Sequence, residues 1–329
     1  MINRSKLVKK IREQARNLLD VVWFRVFLAI AIAYILMLTF SQIEQWNQQV
    51  SVCGVQDSSW HCFSKQVLAV IALDNIEGFS ILAAATLFLL ESRERRRNSI
   101  YEAWQVIDNA ASANVSTSFA RVKALQDLNK YGVSLKGLDV PGAYLSEIYL
   151  PNAELNFADL SRTNMTYANL KEANLCDAQL ESANLSRASL KETNLTYANL
   201  NSAQLEGANL TRANLSYADL SSTDMGNANF KNASLSYANL NGSMLEGAFM
   251  IDADLSYSQL EGTDLGDAQL EGASLQHASL LDANLNQANI KDVDFTGVVN
   301  LTPEQVKSAK NWRQAKYDQD LQCKLGILF

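Results

Sequence analysis

The sequence predicts a β-type solenoid that is preceded by a transmembrane helical hairpin and closed at both ends by α-helices. Three observations support this fold class. A five-residue pattern fills the second half of the chain, two long apolar runs lie near the N-terminus, and amphipathic segments flank the five-residue pattern. Helices repeat near 3.6 residues and strands repeat at 2, so a period of five indicates a regularly turning backbone.

The five-residue pattern is continuous over residues 145–295. Every position divisible by five in this range holds Leu, Met, Phe or Ile, and most positions two residues earlier hold Ala, Thr or Ser. A chain that buries one large and one small side chain in every five residues must turn after each pentapeptide. Four such turns close a coil of twenty residues. Stacked coils then form parallel backbone hydrogen bonds around a column of large apolar side chains.

Two features recur at twenty residues and support four turns per coil. The near-identical blocks LTYANL, LSYADL, LSYANL and LSYSQL contain one tyrosine each. These tyrosines are Tyr197, Tyr217, Tyr237 and Tyr257. Four of the six Thr or Ser residues that replace the small alanine also share one place in the twenty-residue unit. The tyrosines are therefore expected to form a ladder along one side of the solenoid.

The tandem A-(N/D)-L-x-x resembles the pentapeptide repeat family over roughly residues 139–297. This resemblance implies an all-β, right-handed quadrilateral β-helix, here with about eight coils at about 4.8 Å per coil. The segments that flank the repeats are similar to those of membrane-anchored pentapeptide repeat proteins common in cyanobacteria.

Two apolar runs, residues 21–40 and 66–90, predict the transmembrane hairpin, because each has the length needed to cross a bilayer. Basic residues precede the first run and follow the second, whereas the connecting segment contains only Lys65. The positive-inside rule then places both termini in the cytoplasm. The sequence thus predicts a multi-pass protein of the bacterial plasma membrane or thylakoid membrane, with the lipid bilayer as one partner.

The expected domain organisation follows from these segments. It comprises a basic cytoplasmic N-terminus (1–20), a first transmembrane helix (21–40), an external loop (41–65), a second transmembrane helix (66–90), a basic juxtamembrane segment with capping helices (91–134), the β-helix (135–300) and a C-terminal helical cap (301–329). The caps are expected because an open β-helix end exposes unpaired backbone and core leucines.

Amphipathic spacing locates the two caps. Phe119, Val122, Leu125 and Leu128 have helical spacing before the repeats, and a similar aromatic stripe begins at Tyr101. After the repeats, the sequence TPE is typical of a helix start, with Thr as N-cap, Pro at the first helical position and Glu in the first turn.

Polar residues of the predicted hairpin are candidate sites. Cys53 and Cys62 in the predicted external loop are candidates for a disulfide, and the alternatives are two free thiols or a metal site that includes His61. Asp74 and Glu77 interrupt the second apolar run. They are interpreted as interfacial carboxylates, with an intramembrane ion or proton site and pairing within a homo-oligomer as alternatives.

The residue inventory argues against an enzyme. The chain has two histidines, His61 and His277, and contains no glycine-rich phosphate loop, Cys-x-x-Cys or His-Glu-x-x-His pattern. The many Asp and Ser residues of the repeats occupy outward positions where they are expected as turn formers. No catalytic residue, no metal site and no cofactor is therefore predicted.

The charge distribution leaves three classes of function. Residues 136–300 contain 8 Lys plus Arg and 21 Asp plus Glu, a net charge of −13. The favoured prediction is a non-enzymatic, membrane-tethered scaffold that presents a cytosolic acidic β-helix to an unidentified protein partner, in assembly or regulation of a membrane complex. The family resemblance implies a DNA-mimicking, topoisomerase-binding protein as an alternative, without direct nucleic-acid binding. A transport or proton-handling subunit that uses Asp74 and Glu77 is the third class.

The tyrosine ladder, Tyr197, Tyr217, Tyr237 and Tyr257, is the candidate docking surface. Aromatic side chains supply much of the binding energy of protein interfaces. Two alternatives require no binding role. Duplication of a twenty-residue unit would copy the tyrosine, and stacked rings would stabilise neighbouring coils.

Overall fold

The structure is a computed structural model that describes residues 22–48, 76–113 and 115–327. The chain divides into two compact units, Met1–Tyr101 and Glu102–Phe329, and the second unit contains the solenoid. The α-helices are α1 (Val22–Gln48), α2 (Ile76–Ser112), α3 (Phe119–Lys130), α4 (Pro303–Ser308) and α5 (Gln319–Leu325), and a 3-10 helix, Trp312–Gln314, lies between α4 and α5.

In the first unit, α1 packs antiparallel to the first part of α2. Ala29 and Ala33 of α1 are buried. Thr86 of α2 donates a hydrogen bond from Oγ1 to the Ala29 carbonyl (3.1 Å). At the start of α1, the buried guanidinium of Arg25 forms an ion pair with Glu94 of α2. The small residues of α1 therefore allow close contact between the helices, and the buried cation of α1 is neutralised.

The prediction of a transmembrane hairpin and a membrane location is wrong. Within the described residues, no helix combines the length and the apolar character that a bilayer crossing requires. In α1, Arg25 is followed by 15 mostly apolar residues, 26–40, before the polar Ser41, Gln42 and Glu44, and these 15 residues span about 22 Å. In α2, the uncharged residues 78–90 number 13 and span about 20 Å. Both runs are shorter than the roughly 20 apolar residues of a membrane-spanning helix. The described helices therefore do not support the prediction that the lipid bilayer is a partner.

The solenoid of the second unit is held together by parallel backbone bridges between residues twenty apart. They occur once in every five residues, as in the series Asn199, Asp219 and Asn239. Each coil therefore has four five-residue sides, as the twenty-residue repeat predicts. We number the five positions of the pentapeptide so that the large apolar residue is fifth, the small residue is third and the bridging residue is fourth.

The solenoid core is formed by positions three and five. The position-five side chains are buried from Leu135 to Phe295, and the small position-three residues fill the space between them. Thr residues at position three keep their hydroxyls satisfied inside the core, as Thr193 does by donating from Oγ1 to the Leu170 carbonyl (2.9 Å). Two buried side chains in every five residues stabilise the stacked coils through the hydrophobic effect.

Positions one and two form the turns between the sides. The position-three N–H donates to the position-five carbonyl three residues earlier, as Ala198 does to Leu195 (3.0 Å). The position-two residue adopts a left-handed φ, for example 59° at Tyr197. Asn or Asp at position four supports the next turn, since the side-chain oxygen of Asn199 accepts a hydrogen bond from the Asn201 N–H (3.0 Å).

Helix α3 covers the first coil. Leu125 and Leu128 are fully buried, and the Asn129 side chain donates to the Pro151 carbonyl (3.0 Å). The expectation that Phe119 belongs to the buried stripe is wrong, because Phe119 is 86% exposed at the first turn of α3. The buried stripe begins instead with Arg121.

The C-terminal segment covers the last coil. Thr302 and Gln305 form a capping box at the start of α4. The Gln305 side chain also donates to the Leu280 carbonyl of the solenoid (2.9 Å). The buried ring of Tyr317 stacks on Phe295, the last large core residue, with 5.6 Å between ring centroids. The core is thus extended beyond the last pentapeptide by residues outside the repeat pattern.

Candidate interaction surface

The predicted tyrosine ladder is present as a continuous stack of rings. The centroids of successive rings from Tyr197 through Tyr217 and Tyr237 to Tyr257 lie 4.8 to 4.9 Å apart. His277 extends the stack by one coil, 4.8 Å from Tyr257. The interplanar angles are 20° or less. Because this spacing equals the separation of adjacent β-strands, the backbone register of the coils sets the stacking.

The turn backbone places these rings on the surface. Each ladder residue occupies position two, with φ between 58° and 62°. Its N–H donates to a carbonyl of the next coil, as Tyr217 does to Ser236 (3.0 Å). One ring side then faces each neighbouring coil while the edge faces outward. Tyr197 is 55% exposed, and the other three tyrosines are each 47% exposed.

Two residues define the ends of the ladder. Below Tyr197, the equivalent position holds Asp177, whose carboxylate accepts a hydrogen bond from the Cys176 thiol (3.0 Å). Above His277, the equivalent position holds Gly297, with φ of 72°. A Cβ at Gly297 would lie 2.3 Å from Nδ1 of His277. A side chain is therefore excluded at this position while the imidazole keeps its place.

Two ionisable groups in and beside the ladder, the Tyr237 phenol and the Cys176 thiol, have a raised pKa. Partial burial, followed by the charges of Tyr257 and Tyr217, raises the pKa of Tyr237. Burial, together with the hydrogen bond to Asp177, raises the pKa of the Cys176 thiol to about 11. The thiol is therefore a poor nucleophile, whereas the phenol can donate and accept hydrogen bonds.

The solenoid side that carries the ladder is almost free of charge. We define the tyrosine face as residues 196–200, 216–220, 236–240, 256–260 and 276–280. Asp219 is its single Asp, Glu, Lys or Arg residue. Oδ1 of Asp219 accepts hydrogen bonds from the Ser221 N–H (3.0 Å), the Ser221 hydroxyl (2.6 Å) and the Asn239 amide (3.0 Å). The tyrosine face is thus a nearly neutral aromatic strip on a solenoid of net charge −13.

Sequence reasoning found the tyrosines but missed the neutrality of their side. The signal was available, because sorting charged residues by their place in the twenty-residue unit assigns them to the other three sides of these coils. The sequence pattern also did not distinguish Gly297 from the other turn glycines, because the contact of Gly297 with His277 exists only in the folded coils.

The remaining candidate site residues do not join this surface. Cys53, His61, Cys62 and Asp74 lie outside the described residues, so their predicted pairing and ion-binding roles are not placed by the structure. Glu77 lies near the start of α2, and its side chain is also outside the described part. Within the described ranges, no group of His, Cys, Asp and Glu side chains is arranged to hold a metal ion.

Comparison with solved structures finds other pentapeptide repeat proteins. HetL, described as involved in heterocyst differentiation regulation in the cyanobacterium Nostoc sp. strain PCC 7120, is 31% identical to this chain. That match covers 55% of this chain and 91% of HetL, with a TM-score of 0.29. A pentapeptide repeat protein from the Arabidopsis thaliana thylakoid lumen is 34% identical, over 27% of this chain and 63% of its own, with a TM-score of 0.27.

The similarity to QnrB1, a plasmid-mediated fluoroquinolone resistance protein, concerns the fold alone. The two chains are 17% identical, and the match covers 59% of this chain and 97% of QnrB1 with a TM-score of 0.50. Comparison with curated proteins gives no significant match.

A family model for pentapeptide repeats matches in eight copies, which together extend from residue 131 to residue 299. This range is 169 of the 329 residues, slightly more than half of the chain. The predicted right-handed β-helix is accordingly confirmed. The chain belongs to the pentapeptide repeat family.

Proposed function

We propose that this protein is a non-enzymatic scaffold whose β-helix binds another protein through the tyrosine face. The observation that supports the proposal is the coincidence of a stacked, half-exposed aromatic ladder with a nearly neutral side on a strongly acidic solenoid. Pentapeptide repeat proteins are generally structural or interaction proteins, which agrees with this role.

The ladder combines properties that favour a protein interface. About half of each ring is exposed and therefore available for burial. Stacking against two neighbours already restricts the side chains, so binding costs little further conformational entropy. The phenol hydroxyls can form hydrogen bonds at the edge of a contact.

The neutrality of the tyrosine face indicates the chemistry of the partner surface. Interface cores are depleted in charged residues, because burying an unpaired charge is costly. The single carboxylate of this side, Asp219, already accepts three hydrogen bonds at Oδ1 from within the solenoid. An uncharged partner surface with apolar and hydroxyl or amide groups therefore fits this side.

The size of the ladder limits the partner contact. Five rings span four intervals, about 19 Å in total. An α-helix of about 13 residues has this length. One secondary-structure element of the partner can therefore contact the whole ladder, which corresponds to a small interface and reversible binding.

The double variant Tyr217→Ser/Tyr237→Ser tests the proposal. If the rings bind a partner, partner recovery in affinity purification falls at least several-fold while the melting temperature changes little. Arg212→Ser/Asn232→Ser is the matched control, since these residues occupy the same turn position on the neighbouring side. Undiminished recovery with the tyrosine variant, or an equal loss with the control, would exclude this docking surface.

A second candidate function, mimicry of DNA toward a protein that binds nucleic acid, is favoured by a different observation. Residues 232–290 contain eight Asp or Glu residues and no Lys or Arg. The similarity to QnrB1 provides a precedent for the fold only. Binding of a purified type II topoisomerase that weakens steeply with salt and is unchanged by the tyrosine double variant would support mimicry over the tyrosine face.

A further inference from the structure

A cleft lies at the N-terminal end of the solenoid unit. It has a volume of about 320 Å³. Its lining includes Ala110, Ala111, Val115, Arg121, Asp139 and Val140. We call it the cap cleft, since α3 supplies Arg121 and the first coil supplies Asp139 and Val140.

Arg121 in this cleft is a buried cation without a counterion. Its side chain is 4% exposed. Nη2 donates to the Val115 carbonyl (2.8 Å), whereas Nε is buried without a hydrogen-bond partner. Burial lowers its pKa, and no carboxylate among the described residues forms an ion pair with it. The buried Arg25 of the first unit, in contrast, is paired with Glu94.

An unpaired guanidinium in a buried position is costly, so the cleft favours an anion. Guanidinium groups bind carboxylates through directed, charge-assisted hydrogen bonds. The position of Arg121 at the wall of an accessible cleft makes a bound carboxylate the natural counterion.

Asp139 supplies a second polar group that lacks the partner its equivalents have. In the repeats, the side-chain oxygen at position four accepts a hydrogen bond from the N–H two residues later, as Asp159 does from Ser161 (3.0 Å). The residue two places after Asp139 is Pro141, which has no N–H. Asp139 is exposed, and its carboxylate is available to a ligand in the cleft.

We propose that the cap cleft binds an α-amino acid with an apolar side chain. The ligand carboxylate contacts Arg121, and its ammonium group contacts Asp139. Ala110, Ala111, Val115 and Val140 provide the apolar wall for the side chain. The volume is at the lower end of the range for small-molecule sites, which suits a ligand of this size.

Isothermal titration calorimetry on the full chain tests the site with three matched probes. These are L-leucine, isocaproate, which lacks the ammonium group, and isoamylamine, which lacks the carboxylate. We expect saturable binding of leucine. Each analogue is expected to bind at least about tenfold more weakly than leucine, since each loses one charge-assisted contact.

Two substitutions assign the contacts. Arg121→Lys is expected to weaken leucine and isocaproate binding about tenfold, because a compact ammonium does not reproduce the guanidinium geometry. Asp139→Asn is expected to weaken leucine binding. It should not weaken isocaproate binding, because isocaproate has no ammonium group to contact Asp139. Asp139 is exposed, so this variant keeps the fold and the test remains informative if Arg121→Lys is unstable.

Three results would overturn the proposal. They are no saturable heat with leucine up to about 10 mM, equal binding of leucine and isocaproate, or leucine binding that Asp139→Asn leaves unchanged. The Tyr217→Ser/Tyr237→Ser variant is expected to bind leucine normally. Failure of the ligand site is therefore distinguishable from failure of the scaffold function.

Discussion

At the residue scale, the left-handed turn position separates the inside of the solenoid from its surface. Position two carries a positive φ at nearly every pentapeptide, and the occupants include Tyr, Arg, Glu and Asp as well as Gly. This conformation is unfavourable for residues with a Cβ. The N–H of position two bonds to the adjacent coil, so stacking of coils maintains the turn. Side-chain identity at this position is consequently free to serve the surface.

Gly262 allows the cost of this conformation to be measured. Its φ is +64°, and a Cβ there would have no neighbouring atom within 4 Å. Gly262→Ala is therefore expected to lower the free energy of unfolding by about 1 kcal/mol through backbone strain alone. Gly262→Asn should cost less, since Asn tolerates the left-handed region. Urea unfolding measures both values, and an alanine variant as stable as the parent would contradict this explanation.

The inward position five is expected to tolerate no charge. Leu235 is fully buried, so Leu235→Asp should lower the free energy of unfolding by about 4 kcal/mol or more. Asn232→Asp in the same pentapeptide places the same carboxylate on an exposed turn and should change stability by less than about 0.5 kcal/mol. Thermal unfolding of the two variants provides the comparison. Similar melting temperatures would invalidate the assignment of the core.

At the scale of the elements, the sequence located the caps but did not identify all of their buried residues. A pentapeptide turn is local, so the period of five predicts the core directly. Burial in α3 depends on which helix side meets the first coil, and helical spacing alone included Phe119 and omitted Arg121. Tyr317 was missed because its stacking partner, Phe295, is brought near only by the folded C-terminal segment.

Asp294 links the C-terminal cap to the last coil and gives a pH-dependent prediction. Partial burial acts to raise the pKa of this carboxyl, but hydrogen bonds from Lys316, Thr296 and Gln276 outweigh it and hold the pKa well below its usual range. Since the folded-state pKa is depressed, the stabilisation is present above the unfolded pKa of about 4 and is lost as the pH falls below that value.

Asp294→Asn is accordingly expected to lower the free energy of unfolding by about 1 kcal/mol near neutral pH. The difference from the parent should shrink as the pH falls below about 4. Asp292→Asn, at an exposed neighbouring position, is the control. Urea unfolding near neutral pH and below about pH 4 measures the effect. A stability difference between the parent and Asp294→Asn that grows on acidification would contradict the depressed pKa of Asp294.

At the scale of the whole molecule, the family and the ladder were predicted correctly from the sequence, whereas the predicted membrane location was wrong. Residues twenty apart in sequence are adjacent in the solenoid, so the tyrosine repeat indicated the stack itself. No such relation links the two N-terminal apolar runs, and run length alone did not account for Arg25 or for the limited extent of uncharged helix in α2. The candidate surface required both the register and the distribution of charge among the sides.

Site-specific photocrosslinking tests the central claim, that the tyrosine face binds a protein, most directly. The photoreactive residue p-benzoylphenylalanine is introduced in place of Tyr217 or, as a control, in place of Asn227, which occupies the same turn position on the side opposite in the coil. After irradiation in cells, adducts are resolved by electrophoresis and identified by mass spectrometry. A discrete protein adduct from position 217 and none from position 227 is the predicted result. An adduct from position 227 with none from position 217 would contradict the claim.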